Sequence, residues 1–386
     1  DELDSALALE YGVDLDDNDE FRKWKSSHQP FHWFAEFYDV MTDGGFDVVV
    51  GNPPYVRLSK VENYDPIKFE TKDAGDLYPI IMERCITHLK SSNGWQGYIV
   101  PVSSISTPSF KPLQNIVNEN FLALSSFDDR PSKLFDGLEH CRLTIHLLGP
   151  KRNNRNLFTS HYHKWLSEER DFLFETIKYT PKPRSIMKSS IPKSYSPYEN
   201  SILRKMSEMN KNISDFTDES GDSLIYYTRK VGYFLQILDF IPKIYESGKL
   251  REPSELKTLE FKSDLHRDIA LCLLNSTLFR WYFNVHSDCR NLNKRDVNSF
   301  PCPISKIASS SQSDILQELS QELMKDLDEN SVMRPWRDLM IQNIIPRESK
   351  TIIDSIDKEI HSFYGLNPYE SDFIINYDVK YRMGIT

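Results

Sequence analysis

The stretch FDVVVGNPPYV, residues 46–56, decides how the chain is read. Four apolar residues, three of them consecutive valines, end at a glycine and are followed at once by an amide, two prolines and an aromatic ring. A short run rich in β-branched residues and almost wholly apolar reads as a buried strand of a parallel sheet, with both faces covered. Two consecutive prolines fix φ at both positions and remove two backbone donors. The residue ahead of each proline is pushed out of the helical region. The segment therefore predicts a rigid polar loop at the carboxyl end of a strand, which is where open α/β sheets place their ligands.

Such a loop suits a planar amine. An NH2 conjugated to a ring is a poor nucleophile because its lone pair is delocalised. Two acceptors, the Asn52 side-chain oxygen and the Pro53 carbonyl, could hold both N–H groups and favour the pyramidal nitrogen that forms during attack. Tyr55 offers a flat face for stacking. Inside a duplex that amine is inaccessible, so its nucleotide would have to be flipped out.

The same alternation of strand and helix continues outward. DLYPIIMERCITHLKSSNG reads as one helix with Gly94 beyond its end, WQGYIVPVSS as a buried strand, and PLQNIVNENF as a helix. FLALSSFDD and CRLTIHLLG read as two more strands. Strands alternating with helices predict an α/β sheet. Residues 1–45 read as helices, and the aromatic run HQPFHWFAEFYDVM within them is expected to be core. After Gly149 the pattern changes to bases, Pro and Ser among short apolar runs. HRDIALCLLNSTLFRWYFNVHSD and QSDILQELSQELMKDLDENS then read as long helices, and SKTIIDSIDKEIHSFYGL opens a helical tail.

Composition narrows the function classes. The 386 residues suffice for two or three domains, and no apolar run approaches the length of a membrane span. Five cysteines without C-x-x-C spacing argue against a disulfide framework and a zinc site, and fit free thiols in a reducing cytoplasm. The formal net charge is −10, but it is unevenly spread. Residues 1–50 hold 13 acids and 3 bases, whereas residues 151–205 hold 12 bases (from Lys151, Arg152 and Arg155 to Lys205) and 5 acids. Binding of nucleic acid depends on the field at one face, so the total does not exclude it. The ten histidines show no H-E-x-x-H spacing, His28 and His32 read as structural, and Ser103 and Ser104 lie in no nucleophile elbow.

Asn52-Pro53-Pro54-Tyr55 after FDVVVG resembles the catalytic motif of the N6-adenine DNA methyltransferases that use S-adenosylmethionine. GDLYPIIMERCITHLKSSNGWQGYIVP and DDRPSKLFDGLEHCRLTIHLL are similar to the segments that follow the motif in such enzymes, in a gamma-like motif order. YYTRKVGYF, LLNSTLFRWYFNVHSDCRNLNKRDVNSFP and DFIINYDVKYRMG resemble the target-recognition and C-terminal regions of large methylases of type II restriction–modification or related phage-defence systems. The resemblance implies an α/β fold: a partial Rossmann-like methyltransferase sheet, then an α+β target-recognition region and a helical C-terminal tail. The expected divisions are a helical lead-in (1–45), the catalytic half of a methyltransferase domain (46–150), a DNA target-recognition region (151–345) and the tail (346–386).

It further implies that Asn52, Pro53, Pro54 and Tyr55 act on the target base and that Phe135 faces it. The partner would be double-stranded DNA, with Arg130, Lys133, Arg290, Asn291, Asn293, Lys294 and Arg295 as candidate contacts. One departure is large. The cofactor site of this class needs a glycine-rich turn after a first strand and an acidic residue for the ribose, and none of the 14 glycines forms that turn. The chain is therefore expected to be the C-terminal portion of something longer, inactive alone, with a preceding segment or companion subunit carrying the cofactor motif. The alternatives are a non-catalytic DNA-specificity or defence-complex subunit and an RNA methyltransferase.

Overall fold

The computed structural model describes residues 2–62, 64, 66, 68–151, 156–181, 183 and 185–384. The chain divides into two compact units. The first comprises residues 1–100, 109–123 and 145–157, and the second residues 101–108, 124–144 and 158–386.

The first unit opens with helices, Glu2–Glu10 and Asn18–His28 being the longest. Asp17 caps the second by accepting from Asp19 and Glu20 N–H, and Ala8, Val13 and Trp24 form a small core between them. His32 and Lys25 hold the Asp4 carboxylate at 2.7 and 2.6 Å, which keeps its pKa down at about 2. His28 lies 3.1 Å from the Trp24 carbonyl, so both histidines are structural, as the sequence suggested.

The Gly44–Gly45 turn, with φ of +100° and +105°, then feeds β1 (Phe46–Gly51). A Cβ on Gly45 would stand 2.6 Å from the Leu89 carbonyl oxygen, so glycine is required there. β2 (Lys90–Pro101) runs parallel to β1, with Gly51 opposite Tyr98, and β3 (Asn120–Phe127) and β4 (Leu143–Lys151) complete the order β1-β2-β4-β3.

Three sequence expectations change here. β1 is not covered on both faces: it lies at the edge of the sheet, with Val48 63% and Val50 79% exposed. The aromatic run before it is not core. Phe31, Phe34, Phe37 and Tyr38 are all exposed, and Trp33 and Phe37 pack on one another and on Phe46. The helix after the motif is also shorter than its apolar stripe suggests. It runs Leu77–Arg84, widens into a π turn over Cys85–Leu89, and gives way to β2 at Lys90, so that Gly94 lies inside a strand. Pairing with β1 starts at Phe46–Lys90 and draws the polar residues Ser91–Asn93 into the strand.

The second unit is built on one large core around the helices Asp264–Asn275 and Thr277–His286. The sequence read these as a single helix. Ser276 divides them, its hydroxyl accepting from Phe279 N–H to cap the second. Against them pack the helices Gln312–Glu329 and Lys350–His361, whose amphipathic stripes were legible in the sequence. In this unit β5 (Leu157–His163) pairs antiparallel with β6 (Thr180–Pro181). β7 (Ser223–Thr228) and β8 (Ile237–Leu238) belong to a three-stranded sheet, while β9 (Ile244–Glu246) and β10 (Lys249–Arg251) belong to a four-stranded one. β11 (Leu256–Phe261) completes the first of these, in the order β11-β7-β8. β12 (Val332–Trp336) and β13 (Leu339–Asn343) complete the second, in the order β10-β9-β13-β12.

Candidate functional site

Asn52 follows the last residue of β1, at that strand's carboxyl end. Pro53 is buried, whereas Asn52 and Pro54 are exposed, so the buried ring anchors a loop whose amide faces solvent. The Tyr55 hydroxyl lies 2.7 Å from Asn52 Oδ1 and 2.8 Å from the Ile99 carbonyl oxygen of β2. The Tyr55 ring meets Tyr78 edge-on at 6.2 Å, and Tyr78 stacks on Phe110. Beyond the motif, Leu77 N–H donates to Val56 O and Leu58 N–H to Gly75 O, both at 2.9 Å. Arg57 pairs with Asp76 at 3.3 Å. Glu83 accepts from Glu70 and Thr71 N–H, tying the turn over Glu70–Ala74 to the Leu77–Arg84 helix. The loop is thus fixed at both ends.

The remaining sequence candidates lie in the second unit. Phe135 is exposed in the irregular segment between β3 and β4. Lys133 in that segment is paired with Glu139, and Arg130 is exposed, reaching the Val231 carbonyl at 3.5 Å and Asp129 at 3.7 Å. In the segment 288–295 the Asn291 backbone N–H donates to the Asp288 carboxylate at 3.2 Å. Asn293 and Asp296 form a reciprocal cap on the helix Lys294–Asn298. Arg295 turns inward to the Ser106 carbonyl, while Arg290 and Lys294 project into solvent.

Several of the described bases in the stretch after Gly149 are engaged within the protein. Lys151 pairs with Glu119 and Lys205 with Glu370. Lys164 pairs with Asp378, and Lys193 is buried against the Val285 and Ser287 carbonyls. Arg152, Arg155, Lys182 and Arg184 lie outside the described residues.

Burial takes several of the imidazoles out of acid–base work near neutrality. It pushes His146 and His286 down to about 3 and His161 to about 4. All five cysteines are free, and among the described residues no group of His, Cys, Asp and Glu is placed to hold a metal ion. No described helix is long and apolar enough to cross a membrane. The described residues ahead of β1 are helices and turns, without a strand that ends in a glycine turn, and none is assigned to S-adenosylmethionine.

An edge strand of an α/β sheet thus ends in the Asn52-Pro53-Pro54-Tyr55 loop. Residues 3–135 match the family described as Eco57I restriction-modification methylase. The protein RM.MjaORFECS2P of Methanocaldococcus jannaschii is 28% identical over 137 residues, 34% of this chain and 11% of that relative. The type II restriction enzyme and methyltransferase RM.Eco57I of Escherichia coli is 27% identical over 149 residues, 36% of this chain and 15% of that relative. The matches thus span well under a quarter of either relative's length. Among solved structures, the type IIL restriction-modification enzyme MmeI in complex with DNA aligns over 87% of this chain and 57% of its own, at 12% identity and a TM-score of 0.44.

Proposed function

We propose that this chain supplies the target-base pocket and the DNA-recognition part of an adenine N6 DNA methyltransferase of a restriction–modification system. The observation that carries the proposal is the contact between Tyr55 and Asn52 at the end of β1. A phenol has one proton and cannot donate to two acceptors at full strength. The Ile99 carbonyl can only accept. The arrangement that satisfies both contacts has Tyr55 donating to Ile99 and accepting from the Asn52 NH2, which a half-turn of the amide provides. Asn52 Oδ1 then faces outward.

That oxygen is the acceptor a conjugated amine requires. As a base nitrogen changes from planar to tetrahedral, its N–H bonds polarise, and a fixed acceptor stabilises the transition state more than the ground state. Tyr55 would carry the base on its ring while its hydroxyl holds Asn52. The methyl group would come from S-adenosylmethionine held by another segment or subunit. The uncovered edge and exposed valines of β1 support this, being what a strand lacking its neighbour shows.

The test is a labelled-methyl assay on duplex DNA with this chain alone and with a polypeptide that carries the glycine-rich turn. Transfer to adenine N6 that depends on Asn52 supports the proposal. Transfer unaffected by Asn52→Ala sinks it. The missing glycine turn favours a second reading, a DNA-specificity subunit without chemistry of its own. That reading predicts duplex binding and no methyl transfer under either condition. An RNA methyltransferase would show transfer to RNA in place of DNA.

A further inference from the structure

In the second unit a groove of about 380 Å³ is lined by Arg334, Arg347 and Arg382, with the amides of Gln236 and Asn343 and the Tyr233 ring beside them. Among the described residues no carboxylate lines it, although Arg347 pairs with the adjacent Glu348 at 2.9 Å and the chain as a whole carries a formal charge of −10. Arg382 is a fixed charge at the floor. It is 4% exposed, lies 4.3 Å over the Phe234 ring and donates to Thr277 Oγ1 at 3.1 Å, while its Nε has no hydrogen-bond partner. Arg334, Arg347 and Asn343 are exposed at the rim.

The groove opens onto one face of the β10-β9-β13-β12 sheet. Residues opposite each other in an antiparallel ladder share a face. The pairs Val332–Asn343, Arg334–Ile341 and Trp336–Leu339 therefore lie with Ile244–Arg251 and Glu246–Lys249 on the same side. That face carries Arg334, Lys249 and Arg251, the exposed Trp336 ring and Asn343. Its one acid, Glu246, is engaged by Arg251 at 3.3 Å. Two features, a groove lined by three arginines and a basic aromatic sheet face, thus meet at Arg334 and Asn343.

We infer that this groove and sheet face bind double-stranded DNA, with Arg334 and Arg347 on backbone phosphates and Asn343 at a base edge. The inference rests on the proposed role of the chain in DNA modification. Guanidinium groups match phosphate oxygens in a bidentate way, and side-chain amides can both donate and accept at base edges. Phosphate contacts position the duplex without reading it, so the two kinds of residue separate experimentally.

The test uses the full 386-residue chain and a fluorescent duplex of about 30 base pairs, with binding followed by anisotropy at several salt concentrations. Each phosphate contact contributes roughly 0.9 to the slope of log affinity against log salt. The variant Arg334→Ala/Arg347→Ala should therefore bind about tenfold or more weakly at low salt, with a slope smaller by about 2. A control of equal charge change, Lys325→Ala/Lys358→Ala, should keep the wild-type slope. Asn343→Ala should keep the slope and flatten the preference among duplex sequences.

If wild type binds and the arginine variant keeps its slope, the inference fails and the proposed function stands. The same holds if Arg290→Ala/Lys294→Ala alone carries the loss. If wild type binds no duplex at any salt, both the inference and the DNA-directed reading of the chain fail.

Discussion

Replacing Tyr55 by Phe keeps the ring that would carry the base and removes the hydroxyl that bridges Asn52 and Ile99. Each hydrogen bond contributes about 0.5–1.5 kcal/mol net, so the loop loses about 1–3 kcal/mol of positional restraint. The restraint acts on Asn52, whose contact strengthens in the transition state. The loss should therefore fall on kcat, by roughly 5- to 100-fold, with KM for DNA little changed. Asn52→Asp provides the second corner of a double-mutant cycle. A carboxylate cannot donate to the Tyr55 oxygen and must compete with Ile99 for its proton. In the double variant that competition is gone, so the two losses should fall short of additivity by about 0.5–3 kcal/mol. The assay is single-turnover transfer of labelled methyl to duplex DNA, with the cofactor-bearing segment supplied. A Tyr55→Phe enzyme with wild-type kcat, or strictly additive losses, would refute the assigned orientation of the amide.

Three further outcomes can be measured on the chain itself. Lys164, with its side chain 1% exposed, pairs with Asp378 and lies 3.9 Å from Asp128, which Arg142 also approaches at 3.6 Å. Lys164→Met should cost about 3–5 kcal/mol in urea unfolding, and a change below 1 kcal/mol would show that the pair is not coupled in the folded state. Asp357 is fully buried, accepts from Thr277 N–H at 2.9 Å, and is pushed up by burial to about 6. Because its folded pKa lies above the unfolded one, the unfolded chain releases this proton first. Stability should then fall from about pH 4 to pH 6 by an amount on the order of 3 kcal/mol. Asp357→Asn should remove that part of the slope and be the more stable protein at pH 7; an unchanged profile would contradict it. A Cβ on Gly221 would lie 2.3 Å from the Phe261 carbonyl oxygen, so Gly221→Ala should lower stability by about 1–3 kcal/mol, and a neutral result would mean that β11 yields without cost.

How far the sequence carried the reading can be judged from particular residues. Phe46–Tyr55 showed its strand and the loop that follows because the information is local: β-branched residues favour extended backbone, and prolines restrict their neighbours wherever they stand. The amphipathic helices Gln312–Glu329 and Lys350–His361 were legible for the same reason, through a period that belongs to the helix itself. What covers a face is not local. The valines of β1 looked buried and are exposed, because burial depends on which strand lies alongside. The aromatic run before β1 misled in the same way. Lys164 and Lys193 counted toward a basic surface and instead neutralise or bond buried groups, because side-chain direction is decided by packing.

Arg334, Arg347 and Arg382 made no cluster in the sequence. Strand β12, the loop after β13 and the last helix bring them to one groove. By itself the sequence determined the strand, the amphipathic helices and the rigid loop after β1, since short-range torsional and periodic preferences suffice for those. Only the tertiary structure decided which charges are free to meet a phosphate, because that follows from contacts between residues far apart in the chain.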